Sequence, residues 1–270
     1  MSERPRALGD GGWLGLRPAG DRAWELDVVM RLCGRTGSFH GGCALAAATT
    51  AIEQHTGRPL VWATGQYLAR AAVGEVVRVE VEVSSAGRSM TQARATSSVG
   101  ERVLSVVLAG VGERPGPAAR PLGAVPDVAA PEDSPPYELT WEAEGCFHRV
   151  IETRVARGAV GDSAVALWVR LPEPLQGTAA ALAVFGDHVP TAIRWALRLI
   201  DERASSLDNN VRVFDLVPSE WLLVDVDALG TAHGVAHGNA RFWTREGHLL
   251  GAASQSFAIS PPAPPTSEGR

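Results

Sequence analysis

The residues best placed to do chemistry stand where a run of small side chains begins. Phe39-His40-Gly41-Gly42 precedes the Ala-rich stretch 43–54 (CALAAATTAIEQ), which Gly57-Arg58-Pro59 ends, and this pattern predicts a buried helix. A helix N-terminus offers unpaired N–H groups and the positive end of the aligned peptide dipoles. Glycine lets another molecule approach that backbone closely. Together these suit an oxygen that gains negative charge during a reaction. The Gly42 amide is the first candidate donor, with Gly41 and Cys43 beside it; the bland alternative is that two glycines only start a tightly packed helix. His40 can hydrogen-bond a ligand carbonyl or merely cap the helix. Asp187-His188 lies in the corresponding region of the second half of the chain.

Other reactive side chains point to little. His233 and His237 alternate on one strand with no carboxylate at zinc-ligand spacing, so no metal is expected, and no cofactor. Cys33, Cys43 and Cys146 show no CxxC spacing and are too few for a disulfide framework. Cys43 lacks the His–Asn pattern of a cysteine nucleophile. The net charge of −5 gives no basic footprint, which argues against nucleic acid. No apolar run of membrane-spanning length occurs, and the first residues (MSERPRALGDGGW) lack the apolar core of a secretory leader. A cytoplasmic location is the expectation. With 45% hydrophobic and 20% charged residues the composition is that of an ordinary folded protein.

The elements that must position these groups fall into two similar sets. The segment 113–136 holds seven prolines and almost no large apolar residues, so it reads as a linker. It separates a domain over 1–112 from one over 137–260, with 261–270 a disordered tail. In the first half, strands are predicted over 60–72, 76–85, 90–98 and 102–111. The clearest is VVRVEVEVSS, whose apolar–charged alternation marks a half-solvated antiparallel strand. In the second half, strands are predicted over 147–156, 164–170, 210–214, 220–227, 234–244 and 249–259. A helix within 179–202 is interrupted near 186–190. A lone Ala-rich helix followed by an antiparallel meander suits a sheet wrapped around that helix. The reading is α+β: a double hot-dog, two antiparallel sheets each around a central helix, joined edge to edge into one long sheet, with two generic α+β domains as the alternative that the pattern leaves open.

Short motifs in the right order carry a resemblance. Phe39-His40-Gly41-Gly42 with its helix, Tyr67-Leu68-Ala69-Arg70 before Gly74, Ala86-Gly87-Arg88-Ser89, Ser206-Leu207-Asp208-Asn209, Ser219-Glu220-Trp221-Leu222-Leu223, and Phe242-Trp243-Thr244-Arg245-Glu246-Gly247-His248-Leu249 stand in sequence. Over about residues 35–260 they resemble the acyl-CoA thioesterase II family. One departure is Cys43, where that family's opening has glutamine. Small hot-dog enzymes often carry a carboxylate part-way down this helix. Here the nearest positions are Thr49 and Thr50, so with one site per chain the base must come from the second half.

The resemblance implies a hydrolase that cleaves a medium- or long-chain acyl-CoA by attack of an activated water. It assigns Asp208 as the proton acceptor, with Thr231 and Gln255 holding the water, while Gly41, Gly42 and His40 serve the substrate carbonyl. Each has an ordinary alternative: a strand-start aspartate, a loop hydroxyl, a solvated strand glutamine. Two rival functions stay open, a non-catalytic acyl-CoA binding protein and a hot-dog hydratase using Asp187-His188. A homodimer or higher homo-oligomer is expected, because a broad helix-free sheet face commonly pairs.

Overall fold

The computed structural model of the protein describes residues 12–117, 120, 122–139, 141–199 and 204–259. The predicted disordered tail at 261–270 lies outside them. In chain order the strands of the first half are β1 (Arg17–Pro18), β2 (Ala23–Asp27), β3 (Leu60–Tyr67), β4 (Val76–Ala86), β5 (Met90–Val99) and β6 (Arg102–Gly112), with helix α1 (Gly41–Thr56) before β3. The second half brings α2 (Phe147–Val150), β7 (Thr153–Arg157), β8 (Ala164–Arg170), α3 (Ala179–Gly186) and α4 (Val189–Leu197). It continues with β9 (Ala204–Ser206), β10 (Asp208–Val213), β11 (Trp221–Ala232), β12 (Val235–Thr244) and β13 (Leu249–Ile259). All belong to one 13-stranded sheet in the order β1-β2-β4-β5-β6-β3-β10-β13-β12-β11-β8-β7, with β9 also paired to β13. The two half-sheets join through β3 and β10, antiparallel, with Asp208 opposite Gln66 and Arg212 opposite Trp62.

Alternation sets which face is buried. In β4, Val77, Val79 and Val81 point into the core, while Glu80 and Glu82 face solvent, as a two-residue period requires. α1 is wrapped by the sheet so fully that every residue from Gly42 to Ile52 is buried. Its alanines let the strands come close, and Gly57, in the left-handed region at φ 62°, ends it.

α3 is buried along its whole length and packs on α1. The contact is closest at Gly42: a β-carbon there would lie 2.2 Å from the carbonyl oxygen of Val184, so only glycine fits. α3 then breaks at Asp187, and Pro190 stands in the first turn of α4, where its missing N–H costs nothing. The break sets the Asp187 side chain against the start of α1.

One segment departs from its predicted form. Residues 147–150 make a helical turn, and the strand predicted to begin at 147 starts at Thr153. Phe147 and Ile151 are both buried, four residues apart, which is helical spacing. The Phe147 N–H donates to the Cys33 carbonyl at 2.8 Å. The second half thereby reaches across and fastens itself to the residues leading into α1. The Pro-rich stretch also reaches across: Ala129 accepts from the Trp168 indole N–H at 2.9 Å, on the sheet face away from the helices.

Candidate active site

Four groups converge on the Asp187 carboxylate, which is 6% exposed. Oδ2 accepts from the Gly42 N–H at 2.9 Å and lies 3.3 Å from His40 Nε2. Oδ1 accepts from the Ser206 hydroxyl at 3.1 Å and from the Gln255 amide. The Gln255 amide also donates to Ser206 Oγ at 2.8 Å, closing a triangle of Asp187, Ser206 and Gln255. Each comes from a different element. Asp187 ends α3, Ser206 ends β9, and Gln255 sits within β13 opposite Gly238 of β12. The first half contributes the start of α1. Tyr67, from the end of β3, fixes that start by donating its hydroxyl to the Gly41 carbonyl at 2.7 Å.

Asp187, Ser206, His40, Gly41 and Tyr67 line a cavity of about 1100 Å³. His40 is buried and stacked on Phe147, ring centroids 4.3 Å apart. Burial pushes its pKa below the ordinary value, against the opposing pull of Asp187, so the ring is neutral at pH 7. It makes no cap bond to α1. Burial pushes the Cys43 thiol well up, which removes it as a nucleophile. Among the described residues no group of three or more His, Cys, Asp and Glu side chains is arranged to hold a metal ion.

The structure brings together only part of the predicted set. Gln255, Gly41, Gly42 and His40 meet at one place. Asp208 does not join them: its carboxylate accepts from the Ser256 N–H at 2.6 Å on the strand backbone. The physical reason is strand parity. Asn209 and Val211 are buried against the helices, so Asp208, Asn210 and Arg212 face the other way. Thr231 is exposed in the β11–β12 hairpin, where its hydroxyl donates to the Val235 carbonyl at 3.0 Å. The acid and hydroxyl at the site are instead Asp187 and Ser206. Gly42 also needs correction as an oxyanion donor, since its N–H is engaged by Asp187.

The missed residues had signals. Val211 and Val213 fix the inward parity of β10 and turn Asp208 outward. An acid at a helix break, Gly186-Asp187-His188-Val189-Pro190, opposite a Gly-Gly helix start is the other.

Comparison with known proteins agrees with this layout. Residues 33–112 match the acyl-CoA thioesterase N-terminal domain and residues 124–259 the acyl-CoA thioesterase C-terminal domain. No curated protein matches in sequence. A solved structure from Novosphingobium aromaticivorans, described as a candidate thioesterase, is similar at 30% identity with a TM-score of 0.84, over 91% of this chain and 98% of that one. A hot-dog protein of unknown function from Alicyclobacillus acidocaldarius is similar at 21% identity and TM-score 0.80, over 92% and 96%. An acyl-CoA thioesterase II from Mycobacterium marinum shares the fold at 17% identity and TM-score 0.75, over 93% and 97%. With both domain models matched in order on a double hot-dog, the chain belongs to the acyl-CoA thioesterase family and is a thioester hydrolase.

Proposed function

We propose that the chain hydrolyses an acyl-CoA by direct attack of a water held between Asp187 and the thioester carbonyl. The observation that carries this is the triangle of Asp187, Ser206 and Gln255, whose Asp187 and Ser206 line the cavity at the start of α1. Asp187 takes a proton from the water as its oxygen bonds to the carbonyl carbon. Ser206 and Gln255 orient the water and the carboxylate. The Gly41 N–H, at the first position of α1, meets the oxyanion in place of Gly42. When the tetrahedral intermediate collapses the C–S bond breaks, and the proton passes from Asp187 to the departing thiolate. The products are a free acid and CoA.

A medium or long acyl chain fits the cavity's size. Three free, buried thiols agree with a reducing compartment, and a cytoplasmic location is part of the proposal. Among the described residues no helix is long and apolar enough to cross a membrane. We also propose a homo-oligomer. Leu108, 51% exposed on β6, lies on the sheet face of the first half. Light scattering that returns the mass of one chain contradicts this.

One observation favours a second reading, a binding protein without turnover. The Asp187 carboxylate already meets Gly42, His40, Ser206 and Gln255, so water must displace or insert beside one of them. Release of free CoA, read with a thiol reagent across saturated acyl-CoAs of increasing length, decides between the two. Turnover that vanishes in Asp187→Asn establishes the enzyme. Binding of acyl-CoA with no CoA release in the wild type establishes the second reading.

A further inference from the structure

The cavity wall beside Asp187 is built of imidazoles where a hydrocarbon chain would want alkyl groups. His40, His148 and His188 all line it. The ring centroids of His40 and His148 lie 5.6 Å apart, and those of His148 and His188 6.4 Å apart. Phe147 packs against all three rings, and Phe185 against His188, which fixes their positions. Burial and mutual repulsion push His148 and His188 down to about 3, so they are neutral at physiological pH. A neutral imidazole carries one donor and one acceptor. Of the three rings, His40 alone meets a polar side chain among the described residues, Asp187. Nδ1 of His40, Nδ1 of His188 and the hydroxyl of Ser105, another lining residue, are buried and have no hydrogen-bond partner among the described residues.

Buried polar groups without partners are costly, and hydrocarbon supplies none. The cluster also sits at the reacting end of the cavity, since His188 follows Asp187 in the chain and His40 touches it. We infer that the acyl group taken by this site carries an oxygen, a hydroxyl or keto group, close to the thioester carbonyl, where His148 and His188 hydrogen-bond it. This rests on the thioesterase reading above and narrows its substrate from plain fatty acyl to oxygen-bearing acyl.

The test compares 3-hydroxyoctanoyl-CoA and 3-oxooctanoyl-CoA with octanoyl-CoA. For the wild type, kcat/KM for at least one oxygenated substrate is expected to exceed that for octanoyl-CoA by about tenfold or more, the direction expected when a site's polar groups are left unpaired by an analogue. In His148→Phe the ratio falls to about one, and in His148→Asn, which keeps a donor and an acceptor, part of it returns. Affinity is read independently by calorimetry on Asp187→Asn, which leaves the thioesters intact, with the oxygenated ligand expected to bind about tenfold more tightly. Octanoyl-CoA turned over and bound as well as both oxygenated analogues overturns the inference and leaves the thioesterase reading standing. No CoA release from any substrate sinks that reading instead, and the calorimetric ratio still decides the inference.

Discussion

The two core helices are built alike and have opposite fates. α1 begins at Gly41 with no side-chain cap, and its Gly42 N–H is spent on Asp187. α3 begins at Ala179 behind Thr178, whose hydroxyl accepts from the Ala181 N–H at 3.2 Å, so its start is sealed. Eight residues after its first position α3 carries Asp187, whereas α1 carries Thr49 at the same offset. Thr49 is buried and turns its hydroxyl back to the carbonyls of Leu45 and Ala46 at 3.0 and 3.1 Å. The helices therefore divide the labour. On the proposed function α1 supplies the Gly41 N–H at its uncapped start and α3 the acid, while a threonine stands at each place of the reverse combination.

Swapping features between the helices is the way to break this comparison. The largest effect is expected from Thr49→Asp, which puts a carboxylate at the α1 position without donors around it. It should cost about 3 kcal/mol or more and add no turnover, as chemical denaturation and a CoA-release assay would show. A stable variant with raised activity would mean that the second arrangement was open after all. Gly42→Ala comes next, because its β-carbon meets the Val184 carbonyl at 2.2 Å. A loss of about 1–3 kcal/mol is expected, against about 1 kcal/mol or less for Ala180→Gly at the matching place in α3.

Much of the fold was legible in the sequence, and less of the site. β4 declared itself because Val77, Val79 and Val81 alternate with charges, and α1 because an Ala-rich run follows Gly41-Gly42 and Gly57-Arg58-Pro59 ends it. Gly41, Gly42 and His40 were legible as a helix start and Gln255 through the resemblance, and the structure brings the four together. Asp187 was read only with His188, in the hydratase alternative, because its place beside the start of α1 comes from a helix break that packs α3 on α1. Asp208 was read as the acid from the resemblance, which sets an Asp at the start of this strand, yet Asn209 and Val211 take the buried face of β10 and leave Asp208 on the other. The turn at 147–150 was read as strand because its Phe147 anchor lies on the other half of the molecule.

A smaller effect concerns pH and distinguishes the cavity wall from the far end of α1. His148 and His188 fall from 6.5 to about 3 on folding. Groups lowered in this way give stability that is present above pH 6.5 and is lost as pH drops from there toward 3. Glu53, near the end of α1, is raised by burial from 4.5 to about 7, although the Leu60 N–H donates to it at 2.8 Å. Its contribution is full below pH 4.5 and is lost as pH rises through 7. In melting curves across pH, His188→Asn should flatten the acid limb. Glu53→Gln should flatten the stretch between 4.5 and 7. An unchanged acid limb in His188→Asn would show that the ring is not held neutral. The smallest effect is expected from Thr178→Ala, about 1 kcal/mol of stability from the lost cap, with kcat unchanged, because the α3 start takes no part in the reaction.

The central claim is that the acid is Asp187 at the end of α3 and that Asp208, on the neighbouring strand, only holds backbone. Turnover of one acyl-CoA at saturating concentration, measured side by side for Asp187→Asn and Asp208→Asn with melting temperatures on the same samples, tests it most directly. The account predicts a kcat lower by about 100-fold or more for Asp187→Asn and a kcat near wild type for Asp208→Asn, both proteins folded. A loss confined to Asp208→Asn, with Asp187→Asn active, would contradict it.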